Sequence, residues 1–585
     1  IESLGVEMAS VQSTNKGKAR KKRKPKLTAD ERKQRATERA FKRQVRGIFS
    51  KIGFKRIPEA ADKEFEFQNR KSDFDDFFVK ENLIVFTEYT LSNEKGLGDH
   101  FKNKAHIYNL IKSDSAAFLN FILGKFPAIQ QAISPKYHNN QLVFRILYCS
   151  PLKVKSEHQA LAEHVVTISH ATMQYFKLLT NTIKFSARHE LYQFLGLAKG
   201  EVGELGVISD DVGVSEFGGT LLPETHSNYP TGFKVVSFYV SPGALLSRAY
   251  VLRKAGWKDQ DGLYQRMIER GKVENIRKYL KTEQRVFVNN VIVTLPPATK
   301  IADEDGKETL PSEIKKTTPV RVRIPQEPNC VGIVDGQHRI FSYYEDGTED
   351  NTISVFRDRQ NLLATGIIYP ESIPAAERTK FEASLFLEIN SNQNSARSDL
   401  KQAIAVLTKP FSAEAIGKRI ITKLSEKGPL EGLIAQHFFD RGVLRTTSIV
   451  AYALRPLVRL DGDESMITLW SEPNKDNLID GSDAKLIDEY VDWCLSEINQ
   501  FISAVKANLK ADDWQISSKK EPGLLNVTMI NSLIILFRKV INRDGVSGFS
   551  DYSTKLTKIG SFKFKDYHSS QYNRMAEQML AKYYQ

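Results

Sequence analysis

A short apolar run from Cys330 to Val334 stops at Asp335-Gly336, and helical spacing follows at once in Ile340, Phe341, Tyr343 and Tyr344. A β-prone run, an Asp-Gly turn and an apolar helical stripe read together as a strand-to-helix turn, so this part of the chain must combine strands with helices. Gln337, His338 and Arg339 fall in the first helical turn, where unpaired N–H groups and the positive dipole end favour an anion. Arg339 can add a two-pronged contact to phosphate. Asp335 can coordinate a metal or fix the turn; it can equally cap the helix and leave Arg339 solvated. His338 can touch phosphate, pass a proton, or make a core hydrogen bond.

The eight residues Ile333 to Ile340 resemble the signature of the DGQHR-domain family, which includes the DndB-like proteins of DNA phosphorothioation systems. Tyr264-Gln265-Arg266, followed by a helix and the strand Val286 to Val293, is similar to that family's YQR segment. Phe386, Ile389-Asn390 and Gln393 are similar to its later phenylalanine-and-asparagine motif. The resemblance covers residues 233 to 460. It implies a ParB/sulfiredoxin-like α+β domain that binds ATP or another nucleotide, with links to ATP hydrolysis and DNA. By the same analogy Asp335, Gly336, Gln337, His338, Arg339, Tyr264, Gln265, Arg266 and Asn390 line the cofactor pocket. No GxxxxGK[ST] sequence occurs, so such a nucleotide must be held in another way.

The distribution of charge separates a basic surface from a basic segment. The chain carries a net +14, and the stretch from Lys16 to Arg46 alone holds 15 Lys and Arg against three acids, a net +12. Residues 1–27 read as a disordered basic arm, because like charges repel and nothing apolar compensates. Such an arm grips DNA through counterion release; the alternatives are a solubilising tail or a contact with acidic lipid. Three distant cysteines, Cys149, Cys330 and Cys494, support neither a disulfide framework nor a zinc site and point to a reducing, cytoplasmic setting. The start lacks a leader pattern and no apolar run is long enough to span a bilayer, so a soluble protein with no membrane partner is expected.

Residues 28–199 read as a small α/β domain. A helix spans Thr28 to Gly53 with Phe41, Val45, Ile48, Phe49 and Ile52 on one face, then strands Asp73 to Val79 and Leu83 to Thr90 meet at the turn Lys80-Glu81-Asn82. A helix through Phe101, Ala105 and Tyr108, a strand from Gln141 to Cys149 and a helix from Ile168 to Leu179 complete it. The hairpin sets Asp75 nearly opposite Glu88, two carboxylates within reach of one Mg2+. This order resembles the PD-(D/E)xK nuclease core, with Glu38 on the early helix. Thr90 stands where that family has lysine, so Lys102 or Lys104 on the next helix would be the substitute cation; without one the domain would bind DNA and not cut it. The alternative is that Asp73, Asp75 and Asp76 guard an edge strand and Glu88 pairs with a lysine. His100 and His106 flank the helix after Glu88 and could touch a site there, but six positions apart they do not share a helix face and read as surface residues.

Residues 200–232 read as a linker or lid, 233–400 as the DGQHR-like domain with a polar surface loop from Ala302 to Thr318, and 401–585 as a helical domain. The expected class is α/β multidomain: a restriction-endonuclease-like α/β domain, a ParB/sulfiredoxin-like α+β domain and a mostly helical C-terminal third. The expected function is a DNA-associated protein of a DNA-modification or antiviral defence system, acting as a Mg2+-dependent nuclease, an NTPase, or both. The rivals are a non-catalytic DNA-binding regulator and an ATP-dependent accessory subunit with protein partners.

Overall fold

A computed structural model describes residues 28–197, 201–203, 214–253, 257, 265, 267–309, 314–347, 351–393, 398–436, 440, 442–517 and 523–585. The basic arm 1–27, Tyr264 and Arg266 lie outside these residues. The chain is a mixed α/β protein, and no helix among the described residues is long and apolar enough to cross a membrane.

Helix α1 (Ala29–Lys51) comes first, followed by strands β1 (Lys55–Arg56), β2 (Phe65–Phe67), β3 (Arg70–Ser72), β4 (Asp76–Lys80), β5 (Leu83–Tyr89), β6 (Val143–Cys149) and β7 (Val166–Ile168). β2 and β3 pair with each other; the rest form one sheet in the order β1-β4-β5-β6-β7, antiparallel up to β5 and parallel from β5 to β7. Every residue of β5 is buried, as expected for a strand covered on both faces. The pleat sorts the apolar residues: Phe78, Leu83 and Val85 meet Val45, Phe49 and Ile52 of α1, while Phe77, Ile84 and Phe86 meet Phe101, Tyr108 and Ile111 of α2 (Glu94–Ser113). The helix expected from Ile168 begins later, as α3 (His170–Ile183). Val166–Ile168 is taken by β7, and the Ser169 hydroxyl accepts from the Thr172 N–H to cap the helix.

The central sheet has eight strands: β8 (Val214–Leu222), β9 (Lys234–Val240), β10 (Ala249–Tyr250), β11 (Val291–Leu295), β12 (Lys300–Ala302), β13 (Thr318–Pro325), β14 (Val331–Asp335) and β15 (Leu362–Ile368). Their order is β10-β14-β11-β15-β9-β8-β13-β12. The expected linker over 200–232 therefore contains a full strand. β8 pairs with β13 from Val214 to Leu221, and Gly219 lets the sheet close, because a Cβ there would sit 2.6 Å from the Ser237 carbonyl oxygen. The strand expected at Val286 to Val293 starts only at Val291. Between β10 and β15 lie α4 (Arg270–Glu283), the short α5 (Gln337–Phe341) and α6 (Asn351–Arg359); α7 (Ala375–Gln393) follows β15.

One apolar core runs from α1 and α3 through Leu191 and Leu195 to Val236, Val331 and Phe341, so the first two regions share an interior. A separate core, around Ile420, Tyr490, Phe501 and Phe537, is built by helices Ala413–Glu426, Lys485–Ala507, Val527–Asp544 and Tyr572–Tyr583. Among the described residues no strand follows β15.

Candidate active site

β4 and β5 pair Asp76 with Thr87 and Phe77 with Phe86, and the same register carried one step outward sets Asp75 against Glu88. Asp75 is pinned there: its N–H donates to the Thr87 carbonyl at 3.0 Å and its Oδ2 accepts from the Tyr89 N–H at 2.8 Å. A lysine reaches each carboxylate from a different helix. Lys42 Nζ of α1 lies 2.6 Å from Asp75 Oδ1 and 3.4 Å from Glu38 Oε1. Lys104 Nζ of α2 lies 3.0 Å from Glu88 Oε2 and 2.9 Å from Asp73 Oδ1. Exposure rises from 7% at Glu88 through 18% at Asp75 to 47% at Glu38 and 54% at Asp73, so the cluster has a buried floor and a wet rim.

The floor sets the electrostatics. Burial pushes the Glu88 carboxyl up to about 8; Lys104 pulls it back and the charge on Asp75 adds to the rise. His100 comes from the same helix, with Nε2 3.6 Å from Glu88 Oε1 and Nδ1 2.7 Å from the Tyr148 hydroxyl. Burial, with Lys104 beside it, lowers its pKa, which favours the neutral ring.

Asp76 plays a different part. Fully buried, it accepts from Arg46 Nε at 2.7 Å, Arg56 Nε at 2.5 Å and the Tyr89 hydroxyl at 3.0 Å. It ties α1 and β1 to the hairpin. β1 pairs with β4 at Phe78 and Val79, beyond the aspartates, and Glu88 is paired with a lysine, as the alternative reading expects. Lys102 is exposed, and the Thr90 hydroxyl donates to Ser92 Oγ. Of the two lysines expected as substitutes, the fold brings Lys104 to the carboxylates.

The strand-to-helix turn forms where the sequence puts it. Gly336 has φ 96°, and a Cβ there would meet Val291 Cγ1 at 2.7 Å, so both backbone and space demand glycine. Its polar side chains turn inward. Arg339 Nη2 donates to Asp335 Oδ2 at 3.0 Å and to the Asn290 carbonyl at 2.8 Å. His338 Nε2 accepts from the Glu269 N–H at 3.1 Å, at the start of α4, and burial with Lys272 nearby lowers its pKa to about 4. A neutral acceptor locked to a backbone N–H cannot act as a general acid at neutral pH. Gln265, 1% exposed, donates from Nε2 to the Ile333 carbonyl and so braces β14. Asn390 Nδ2 donates to the Phe386 carbonyl, one turn back on α7. Tyr343 and Tyr344 are buried; the Tyr343 hydroxyl donates to Gln360 Oε1 at 2.6 Å and the Arg277 guanidinium lies 3.9 Å over the Tyr344 ring.

Sequence reasoning missed Lys42, His100 and Glu382. Lys42 had a visible signal, its i,i+4 spacing from Glu38. His100 had none, because its partners sit on β5 and β6. Glu382 of α7 is buried beneath the turn and accepts from the hydroxyls of Tyr250, Thr294 and Tyr369 at 2.5, 2.7 and 2.8 Å. Gly332 makes room for this hub, since a Cβ there would lie 2.3 Å from Thr294 Oγ1.

Among the described residues no group of three or more His, Cys, Asp or Glu side chains is arranged to hold a metal ion. Asp75 and Glu88 are two hard oxygen donors, the number Mg2+ commonly takes from a protein when waters and substrate phosphates complete its shell. Each of the two is already paired with a lysine, so an ion bound here would have to share them with Lys42 and Lys104. No family model, no curated protein and no solved structure matches the chain.

Proposed function

We propose that the N-terminal domain is a Mg2+-dependent DNA endonuclease unit, in a DNA-associated protein of a DNA-modification or antiviral defence system. The observation that carries this reading is Lys104 at 3.0 Å from Glu88, which restores from a helix the cation that Thr90 removes from the strand. Helix α1, the β4–β5 hairpin, α2 and the parallel strand β6 follow one another as in the nuclease core that the sequence resembles. Asp75 and Glu88 would hold the ion, which lowers the pKa of bound water and neutralises charge on the scissile phosphate. Lys104 contributes a fixed positive charge beside the reacting phosphate, and Lys42 orients Asp75 through their ion pair. Glu38 lies at the rim, 3.4 Å from Lys42, where it orients that lysine. The basic arm supplies sequence-independent grip on DNA. The resemblance to the DGQHR family supplies the biological setting. With Arg339 and His338 engaged inside the fold, nucleotide binding by that domain rests on the resemblance alone.

A second reading, a non-catalytic DNA-binding regulator, is favoured by the ion pair that Lys42 makes with Asp75, which neutralises one metal donor. The deciding experiment incubates supercoiled plasmid, with and without phosphorothioate modification, with the full chain and Mg2+. Nicking that disappears in Glu88→Gln and Lys104→Met supports the nuclease; no nicking of either plasmid by the wild type overturns it in favour of the regulator.

A further inference from the structure

A cavity of about 350 Å3 lies where the N-terminal hairpin meets the central domain, lined by Lys80, Glu81, Arg188, Glu345, Ser354 and Arg357 among others. Its size falls within the roughly 300–1,000 Å3 of small-ligand sites, which favour junctions between domains. Three cations and two carboxylates in this set leave it net positive. Arg188 is taken by Glu345, with which it forms an ion pair. Lys80 is not matched in that way. Its side chain is 13% exposed, its closest carboxylate oxygen is Glu81 Oε1 at 4.0 Å, and its ammonium lies 5.3 Å over the Phe185 ring.

A buried ammonium whose nearest carboxylate stands 4.0 Å away is only weakly compensated, and burial lowers the pKa of Lys80 although Glu81 pulls it back. Nothing in the packing requires the charge: Phe185, wedged between Gly53 and Gly347, already closes the floor. A cation kept at a cost in a ligand-sized cavity has its counter-charge supplied from outside. Asn351 and Ser354, on the first turn of α6, add an amide and a hydroxyl to the wall.

We propose that this interdomain cavity binds a small phosphate-bearing anion, with Lys80 as the main counter-charge and Ser354 as a further donor, while Arg357, held by the Tyr343 and Tyr344 carbonyls, adds positive charge to the wall. The site is separate from the Asp75–Glu88 cluster and does not depend on the nuclease reading.

The test is titration calorimetry on the full chain with inorganic pyrophosphate, AMP and ATP, using wild type, Lys80→Gln and Ser354→Tyr, the last filling the cavity. The basic arm binds polyanions in all three proteins, so the readout is the difference between them. Expected is at least one probe whose affinity falls tenfold or more in both variants, while Lys80→Gln without ligand melts no lower than wild type. Pyrophosphate binding alone defines a bare phosphate site; binding of AMP or ATP only defines a nucleotide site. Equal affinities in all three proteins, or a Lys80→Gln protein that melts well below wild type, would overturn the proposal.

Discussion

The hairpin cluster and the strand-to-helix turn both gather acids and bases within a few residues of a strand end, yet they dispose of charge in opposite ways. At the turn, Asp335 and Arg339 come from one segment and satisfy each other, and His338 is spent on a backbone N–H. In the hairpin, each carboxylate meets a lysine from a different helix, and the acids climb from a buried floor to an exposed rim. Self-satisfied charge makes a rigid corner. Charge assembled across elements, open on one side, makes a place where a ligand can exchange partners with the protein.

The widest gap between the two should appear in cleavage. Glu88→Gln and Lys104→Met should each lower Mg2+-dependent nicking by at least about 100-fold, the scale of losing a charge-stabilising group, while Arg339→Ala should leave it within about threefold. Equal losses at Arg339 would break the comparison. Next comes stability. Asp76→Ala removes a buried carboxylate and strands Arg46, Arg56 and the Tyr89 hydroxyl, at a cost of roughly 3 kcal/mol in urea unfolding. Asp75→Ala, on the wetter side of the same strand, should cost about 1 kcal/mol.

The two regions should also answer pH with opposite signs. Glu88 has a folded pKa near 8 against an ordinary 4.5, so the folded state keeps a proton that the unfolded chain releases. Its contribution is complete below pH 4.5 and is lost as pH rises through 8, by up to about 1.4 kcal/mol per unit. His338 has a folded pKa near 4 against 6.5, so its contribution is complete above 6.5 and is lost as pH falls through 4. Melting curves from pH 4 to 9 check both: Glu88→Gln should flatten the alkaline fall, His338→Gln the acid one. A Glu88→Gln protein with an unchanged alkaline slope would show that Glu88 ionises normally.

Much of this was legible in the sequence because it is local. The near-opposition of Asp75 and Glu88 follows from the short turn at Lys80 to Asn82, which the structure tightens by one residue by pairing Lys80 with Leu83, and the corner at Gly336 follows from an apolar run, Asp-Gly and a helical stripe. What escaped was decided by partners far along the chain. β8 reads as a linker because Gly218 and Gly219 lower its strand propensity, and only the close approach of β9 makes Gly219 useful. Arg339 reads as a phosphate ligand until Asn290, on the approach to β11, offers its carbonyl. His100 looks idle beside His106 because spacing along one helix says nothing about what β5 and β6 bring up to it.

The smallest expected effect is the most discriminating for how the cluster is built. Lys102 and Lys104 flank the apolar stripe of α2 on opposite sides, so only the side from which β5 approaches decides which of them meets Glu88. Lys104 shares that side with His100, one turn earlier, and both reach the carboxyl; Lys102 is exposed. Lys102→Ala should therefore change unfolding free energy by less than about 0.5 kcal/mol and nicking by less than twofold. Lys104→Ala should remove nicking and, with its counter-charge gone, raise the Glu88 pKa further, moving the alkaline loss of stability to higher pH. If Lys102→Ala instead matched Lys104→Ala, the second cation would come from α2 as a whole, through its field on DNA, and the direct contact at Glu88 would lose its part in the argument.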